Sequence, residues 1–186
     1  MKQSNQTLSR NDSCLVIVDV QEKLYPYVEN KDEIKNKIIK LIKTAKLFLI
    51  PVVVTEHYPN GLGRTIEEIA DEIKGIPKIE KVTFSCYGSN DFGFSLKSLG
   101  KKKVIICGIE THICVAQTVF DLIENEYKLF VAADAVGSRN RFDHDIAIER
   151  MKKEGAVIST SEAIMYELMG EAGSLLFKEF LKVVKD

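Results

Sequence analysis

What is scarce in this chain narrows its chemistry first. Its 186 residues include four cysteines, four prolines and three histidines, and the net charge is only −1. The cysteines, at 14, 86, 107 and 114, have no paired C-x-x-C spacing, so no zinc site or disulfide framework is legible. In a reducing cytosol they are expected to be free thiols. Near-neutral charge gives no field to steer the chain onto nucleic acid or an acidic membrane. The apolar runs are far shorter than a bilayer span. Residues 1–11 are polar and lack the apolar core of a signal peptide. A cytoplasmic location follows as an expectation. No repeat or low-complexity linker divides the chain, so 1–186 reads as one domain with a polar N-terminal extension over 1–12.

Against those absences stands an ordinary globular composition, with 45% hydrophobic and 28% charged residues. Short apolar runs at 15–20, 52–55, 104–108, 128–133 and 156–160 read as buried strands, with a weaker one over 77–83. Between them lie helical patterns. Residues 31–50 are apolar at 34, 38, 41, 42, 45, 48 and 49, a helical period with lysines opposite. Pro51 stops that helix. Residues 58–64 read as a loop rich in Pro and Gly. A short helix is expected over 65–73, with Thr65 and Glu68 spaced as a capping box. Further helices are expected over 92–99, 112–126, 142–154, 161–169 and 174–184. Alternating strands and helices with unbroken apolar strand interiors predict an α/β fold: a six-stranded, mainly parallel sheet covered on both faces.

Three ionisable side chains fall at or just after strand ends, where open α/β sheets place their functional crevice. Asp19 closes the first run, Lys81 the third, and Cys114 follows the fourth. The first and fourth strands of a doubly wound sheet are neighbours at the switch point. That brings Asp19 and Cys114 together across 95 positions, and the long stem of Lys81 reaches in from further out. Cys114 stands where the 112–126 helix is expected to begin. A helix N-terminus carries partial positive charge and unpaired N–H groups. Both lower a thiol pKa, and the N–H groups could hold an anion formed on a carbonyl. Plainer readings stand beside these. A carboxylate inside an apolar run caps a helix or pairs with a buried lysine. A buried cysteine behaves as a small hydrophobe, which is the reading of Cys14 and Cys107 and an open alternative for Cys114. Asp143-His144-Asp145 reads as a solvated helix face, because adjacent helical residues point in different directions. Gly61 and Gly63 follow no strand into a G-x-G-x-x-G helix start, so no dinucleotide cofactor is expected.

Four motifs occur in order: Leu15-Val16-Ile17-Val18-Asp19-Val20-Gln21, Lys81-Val82-Thr83-Phe84-Ser85, Cys107-Gly108-Ile109-Glu110-Thr111-His112-Ile113-Cys114, and Ala132-Ala133-Asp134-Ala135-Val136-Gly137-Ser138-Arg139. Together, over 13–184, they resemble the isochorismatase-like cysteine hydrolases, a family that includes nicotinamidases and N-carbamoylsarcosine amidohydrolase. The resemblance implies a Rossmann-like three-layer α/β/α fold. It also implies a catalytic trio of Asp19 as base, Cys114 as nucleophile and Lys81 holding Asp19 charged. Backbone N–H groups of Glu110 and Cys114 would form the oxyanion hole, with a non-proline cis peptide just before Glu110. The expected reaction is hydrolysis of a carbon–nitrogen bond in a small amide or ureido molecule, since true isochorismatases generally lack the cysteine. Substrate contacts are expected from Gln21, Tyr25, His57, Phe84, Tyr87 and Ile113.

Nicotinamidases carry a metal-binding Asp-x-His pair after the second strand. Here the matching stretch is Thr55-Glu56-His57-Tyr58, so the metal-free branch is expected, with no metal and no cofactor. His57 reads as a substrate contact or a hydrogen-bonded loop histidine, and His112 as part of the pocket mouth or a helix cap. The resemblance further implies a homo-oligomer, a dimer or larger. Two other functions stay open: an oligomeric interaction module with little turnover, and thiol redox chemistry pairing Cys114 with Cys107 or Cys86. No resolving-cysteine motif supports the latter.

Overall fold

The computed structural model of the chain describes residues 7–185. Fourteen regular elements follow the expected alternation: β1 (Ser13–Val18), α1 (Lys31–Leu47), β2 (Val52–His57), α2 (Pro59–Leu62), α3 (Glu67–Glu72), β3 (Lys78–Lys81), α4 (Asn90–Ser98), β4 (Lys103–Ile109), α5 (Ala116–Glu124), β5 (Lys128–Gly137), α6 (Arg141–Lys153), β6 (Val157–Ser159), α7 (Ser161–Met169) and α8 (Leu175–Lys185). The strands form one sheet in the order β3-β2-β1-β4-β5-β6, and every pairing is parallel.

Residues alternate between the two faces of each strand, and the two cores follow that alternation. Leu15, Ile17, Ile105, Cys107 and Phe130 share one core with α1, α7 and α8. Cys14, Val16, Val18, Val104, Ile106 and Val131 share the other with α4, α5 and α6. The result is the three-layer α/β/α arrangement. Strands buried on both faces can be apolar throughout, which is why β1 is buried at every position.

Several local expectations needed correction. The short helix begins at Glu67 with Ile66 before it, not at Thr65. The Thr65 N–H and hydroxyl both go to the Glu56 carboxylate, at 2.8 Å each, so no capping box forms. The stretch expected as loop contains a helical turn, α2, with Pro59 in its first position. Helix α1 ends at Leu47, four residues ahead of Pro51, where Leu49 turns to φ 56° and the Ile50 N–H reaches back to the Ala45 carbonyl. Strand β5 runs on to Gly137, past a register shift against β4, and pairs Gly137 with Ile109.

Of the polar extension expected over 1–12, residues 1–6 lie outside the described residues. The remainder packs down: Leu8 is buried, and Arg10 donates to the carbonyls of Leu168 and Met169 at the end of α7.

Candidate active site

Strand register brings the site together. β1 lies between β2 and β4, so Asp19, just beyond β1, sits beside the ends of both. Asp19 has φ 49°, a conformation rare outside glycine, and its N–H bonds the Thr55 carbonyl. Its carboxylate is fully buried. One oxygen accepts the Thr55 hydroxyl at 2.7 Å and the other accepts the Lys81 ammonium at 2.6 Å. Lys81 comes from the outermost strand, paired with His57 of β2, and its ammonium also donates to the carbonyls of Thr83 and Phe84, 3.1 Å each. Both side chains of the ion pair are closed to solvent. Burial opposes the lysine charge, but Asp19 and the nearby thiols of Cys86 and Cys114 outweigh it and hold its pKa above the ordinary value.

Cys114 stands in a wide helical turn, Thr111–Val115, that leads into α5. The turn is wound one residue looser than an α-helix: the Val115 N–H bonds the Glu110 carbonyl. The Cys114 thiol lies near enough to the Asp19 carboxylate for its negative charge to act on it. The expectation of a lowered thiol pKa fails. Burial, then the Asp19 charge, pushes it above the ordinary value, outweighing the Lys81 charge. All four thiols are raised by burial: Cys14 to about 12, Cys86 to about 11, and Cys107 further still. Acidity therefore does not single out Cys114. Position does, because it is 5% exposed while the other three are at 0%.

Asp19, Lys81 and Cys114, singled out in the sequence, meet in one cluster. Two threonines not among the expected site residues complete it. The Thr55 hydroxyl lies between Asp19 and the Cys86 sulfur, 3.5 Å away. The Thr118 hydroxyl donates to the Cys114 carbonyl at 2.6 Å and accepts the Cys86 N–H at 2.9 Å. Thr118 lies one helical turn after Cys114, a spacing that could have flagged it.

The residues expected to contact substrate divide. Gln21 is fully buried, and its amide binds the His57 carbonyl, the His57 N–H and the Gly63 carbonyl, so it braces the loop. Tyr25 donates its hydroxyl to Asp32 at 2.9 Å. Tyr87 and Ile113 are half-buried against the second core. The His57 and Phe84 rings meet tilted, with centroids 5.4 Å apart, and the buried His57 Nδ1 has no hydrogen-bond partner. Burial, then the Lys81 charge, lowers the His57 pKa, which keeps the ring neutral. A cavity of about 410 Å³ beside Lys81 is lined by Tyr58, Asn60, Glu80, Thr83 and Ser89 among others, and by none of the six expected contacts. A larger one, about 520 Å³, lies between α1 and α6. Cys114 lines neither.

Residues 110–112 are tied to the segment after β5. Glu110 binds Arg139, His112 Nδ1 lies 2.9 Å from the Ser138 hydroxyl, and Thr111 Oγ1 lies 3.0 Å from His144 Nδ1. His112 therefore pairs with Ser138, and His144 is not part of a solvated face. The peptide bond between Ile109 and Glu110 is cis. The donor set beside β2 does not fit a divalent metal, because the Glu56 carboxylate is closed by Thr65 and Arg64. Among the described residues no group of three or more His, Cys, Asp or Glu side chains could hold one.

Residues 13–163 match the Isochorismatase domain. The zebrafish (Danio rerio) isochorismatase domain-containing protein 2 is 34% identical over 178 residues, covering 95% of this chain and 89% of its own. The chain belongs to the isochorismatase family. This isochorismatase-family fold matches a Caenorhabditis elegans structure described as MAR1 ribonuclease, with TM-score 0.91, 34% identity and 97% and 93% of the two chains covered. It also matches the Escherichia coli YcaC gene product, described as an octameric hydrolase of unknown specificity. There the TM-score is 0.87, identity 28%, and coverage 96% and 87%.

Proposed function

We propose that this protein is a metal-independent cysteine hydrolase that cleaves a carbon–nitrogen bond of a small amide or ureido molecule through a thioester on Cys114. One observation carries the reading: the Cys114 thiol lies under the charge of a buried carboxylate that Lys81 holds at 2.6 Å. The resting thiol is protonated, so a base must take its proton as it attacks. Asp19 is that base and Lys81 keeps it ionised beforehand. The sulfur attacks the carbonyl carbon, and the oxyanion is met by N–H groups of Glu110 and Cys114. The C–N bond then breaks as Asp19 returns its proton to the leaving nitrogen. Water attacks the thioester with Asp19 again taking a proton, the C–S bond breaks, and the acid departs. His57, neutral and with a free buried nitrogen, and Phe84 offer an uncharged surface for the substrate.

By analogy with its octameric E. coli neighbour, the protein works as a homo-oligomer. It works in the cytoplasm; no helix among the described residues is long and apolar enough to cross a membrane. The test is an activity screen over small amides and ureido compounds, with intact-mass analysis after mixing with p-nitrophenyl acetate. An acyl adduct on the Cys114 peptide, absent from Cys114→Ala and Asp19→Asn and insensitive to prolonged EDTA, is the expected result. An adduct on Cys86 or Cys107 with Cys114→Ala fully active overturns the mechanism. A short oligoribonucleotide belongs in the same screen, because the C. elegans neighbour is described as a ribonuclease. A net charge of −1 supplies little to attract RNA phosphates.

A further inference from the structure

We propose that Arg139 is a positioning residue for the nucleophile: it holds the turn that carries Cys114 and neutralises the Glu110 carboxylate beside the oxyanion-binding N–H groups. The inference rests on the cysteine-hydrolase reading above and concerns a residue with no direct part in that mechanism.

The argument begins with Glu110. It is the residue between the end of β4 and the turn that carries Cys114, and it is only 4% exposed. Its carbonyl accepts the N–H groups of Ile113 and Val115, at 3.1 and 3.2 Å, so the turn is wound on it. Its side chain faces the other way. The carboxylate accepts the Arg139 N–H at 2.9 Å, the guanidinium Nε at 3.0 and 3.2 Å, and Nη2 at 2.6 Å. A forked pair of this kind fixes direction as well as charge. Strand β5 puts Arg139 in place by running to Gly137, in register with Ile109. With the two further ties, Thr111 to His144 and His112 to Ser138, three successive residues, 110–112, are fastened to 138–144.

Charge gives Arg139 a second task. Under the proposed mechanism the Glu110 N–H meets a developing oxyanion. An unpaired carboxylate on that same residue would oppose the negative charge that the site must stabilise. Arg139 is 58% exposed at its side chain, so it acts through Glu110. The groups around the pair are His112 on the turn and Asp143 and His144 on α6.

Acylation by p-nitrophenyl acetate tests this, because the Cys114 sulfur gains the acetyl group and nitrophenolate leaves with the C–O electron pair. Wild type, Arg139→Ala, Arg139→Lys and the double variant Arg139→Ala with Glu110→Gln are compared from about pH 6 to about pH 8.5, near the range in which a buried unpaired carboxyl titrates. Circular dichroism monitors the fold. Arg139→Ala should acylate about tenfold slower or worse, the scale of a misplaced reacting group. Its deficit should widen as pH rises and the unpaired Glu110 ionises. Arg139→Lys should recover most of the rate, and Glu110→Gln in the alanine background should flatten the pH dependence of the deficit. If Arg139→Ala does not fold, Arg139→Gln carries the same comparison. Wild-type rates in Arg139→Ala overturn the inference. So does a deficit that is constant with pH and unrelieved by lysine. A wild-type protein that is never acylated on Cys114 sinks the hydrolase reading and the inference with it.

Discussion

Two buried glutamates, Glu56 in β2 and Glu110 just after β4, show one device used for two ends. Each is almost closed to solvent, at 2% and 4% exposure, and each faces a largely exposed arginine. Each also accepts a backbone N–H, from Thr65 and Arg139. Burial pushes both carboxyls up, but these donors outweigh it and hold both below the usual carboxylate range. The difference lies in what is fastened. Glu56 pins Thr65 and the start of α3, and its Arg64 is shared with Glu80. Glu110 owns both nitrogens of a forked pair, and the turn it fastens carries the thiol. The same local chemistry closes a loop at Glu56 and, under the proposed mechanism, positions the thiol at Glu110.

The largest expected effect lies between the two glutamates, at the Lys81–Asp19 pair. Lys81→Met leaves a fully buried carboxylate without its cation and should cost roughly 3–5 kcal/mol of stability, together with acylation. A urea melt showing a smaller loss than either glutamate variant would reverse that ranking. Next comes Gly108→Ala, two residues ahead of Glu110. Gly108 has φ +120°, and a Cβ there would lie 2.1 Å from the Val18 carbonyl oxygen. Backbone cannot give way as a flexible side chain would. The variant should lose about 3 kcal/mol or more, the top of the usual overpacking range, and thermal unfolding would reveal a milder outcome.

The glutamates themselves come third. Glu56→Gln and Glu110→Gln should each cost about 1–3 kcal/mol, as expected when buried hydrogen-bond partners are left unmatched. Only Glu110→Gln should disturb Cys114 acylation; an equal kinetic defect in Glu56→Gln breaks the comparison. The pH dependence has a definite sign. Each folded pKa is lowered, so each carboxyl adds stability in full above its unfolded value, about 4.3. That stability drains away as pH falls through the folded value. Melts across that acid range should therefore be flatter in both variants. The smallest effect is Asp145→Asn, which removes an exposed pair with Arg141 one turn away on α6 and should move stability by less than about 0.5 kcal/mol.

Much of this organisation was legible in the residues. The apolar runs located all six strands, and parallel crossovers with neighbouring first and fourth strands placed Asp19, Lys81 and Cys114 together. What escaped was pairing between distant side chains. Thr65 looked like a helix cap because Glu68 follows at the right spacing; Glu56, nine residues upstream and across a turn, took both of its donors. Asp143-His144-Asp145 looked solvated because only its own helix was in view, while the partner of His144 is Thr111. The Cys114 thiol looked acidified because a helix start is a local feature. Burial and a carboxylate from another strand are not.

By itself, then, the sequence determined the order of the six strands and of the longer helices between them, since periodicity and strand-end position are written along the chain. It also determined which three ionisable side chains face the switch point. Only the tertiary structure decided the burial of the thiol, the contacts of Thr55 and Thr118, and the fastening of residues 110–112 to 138–144. Those depend on desolvation and on hydrogen bonds between groups far apart in the chain, and neither exists until the layers close.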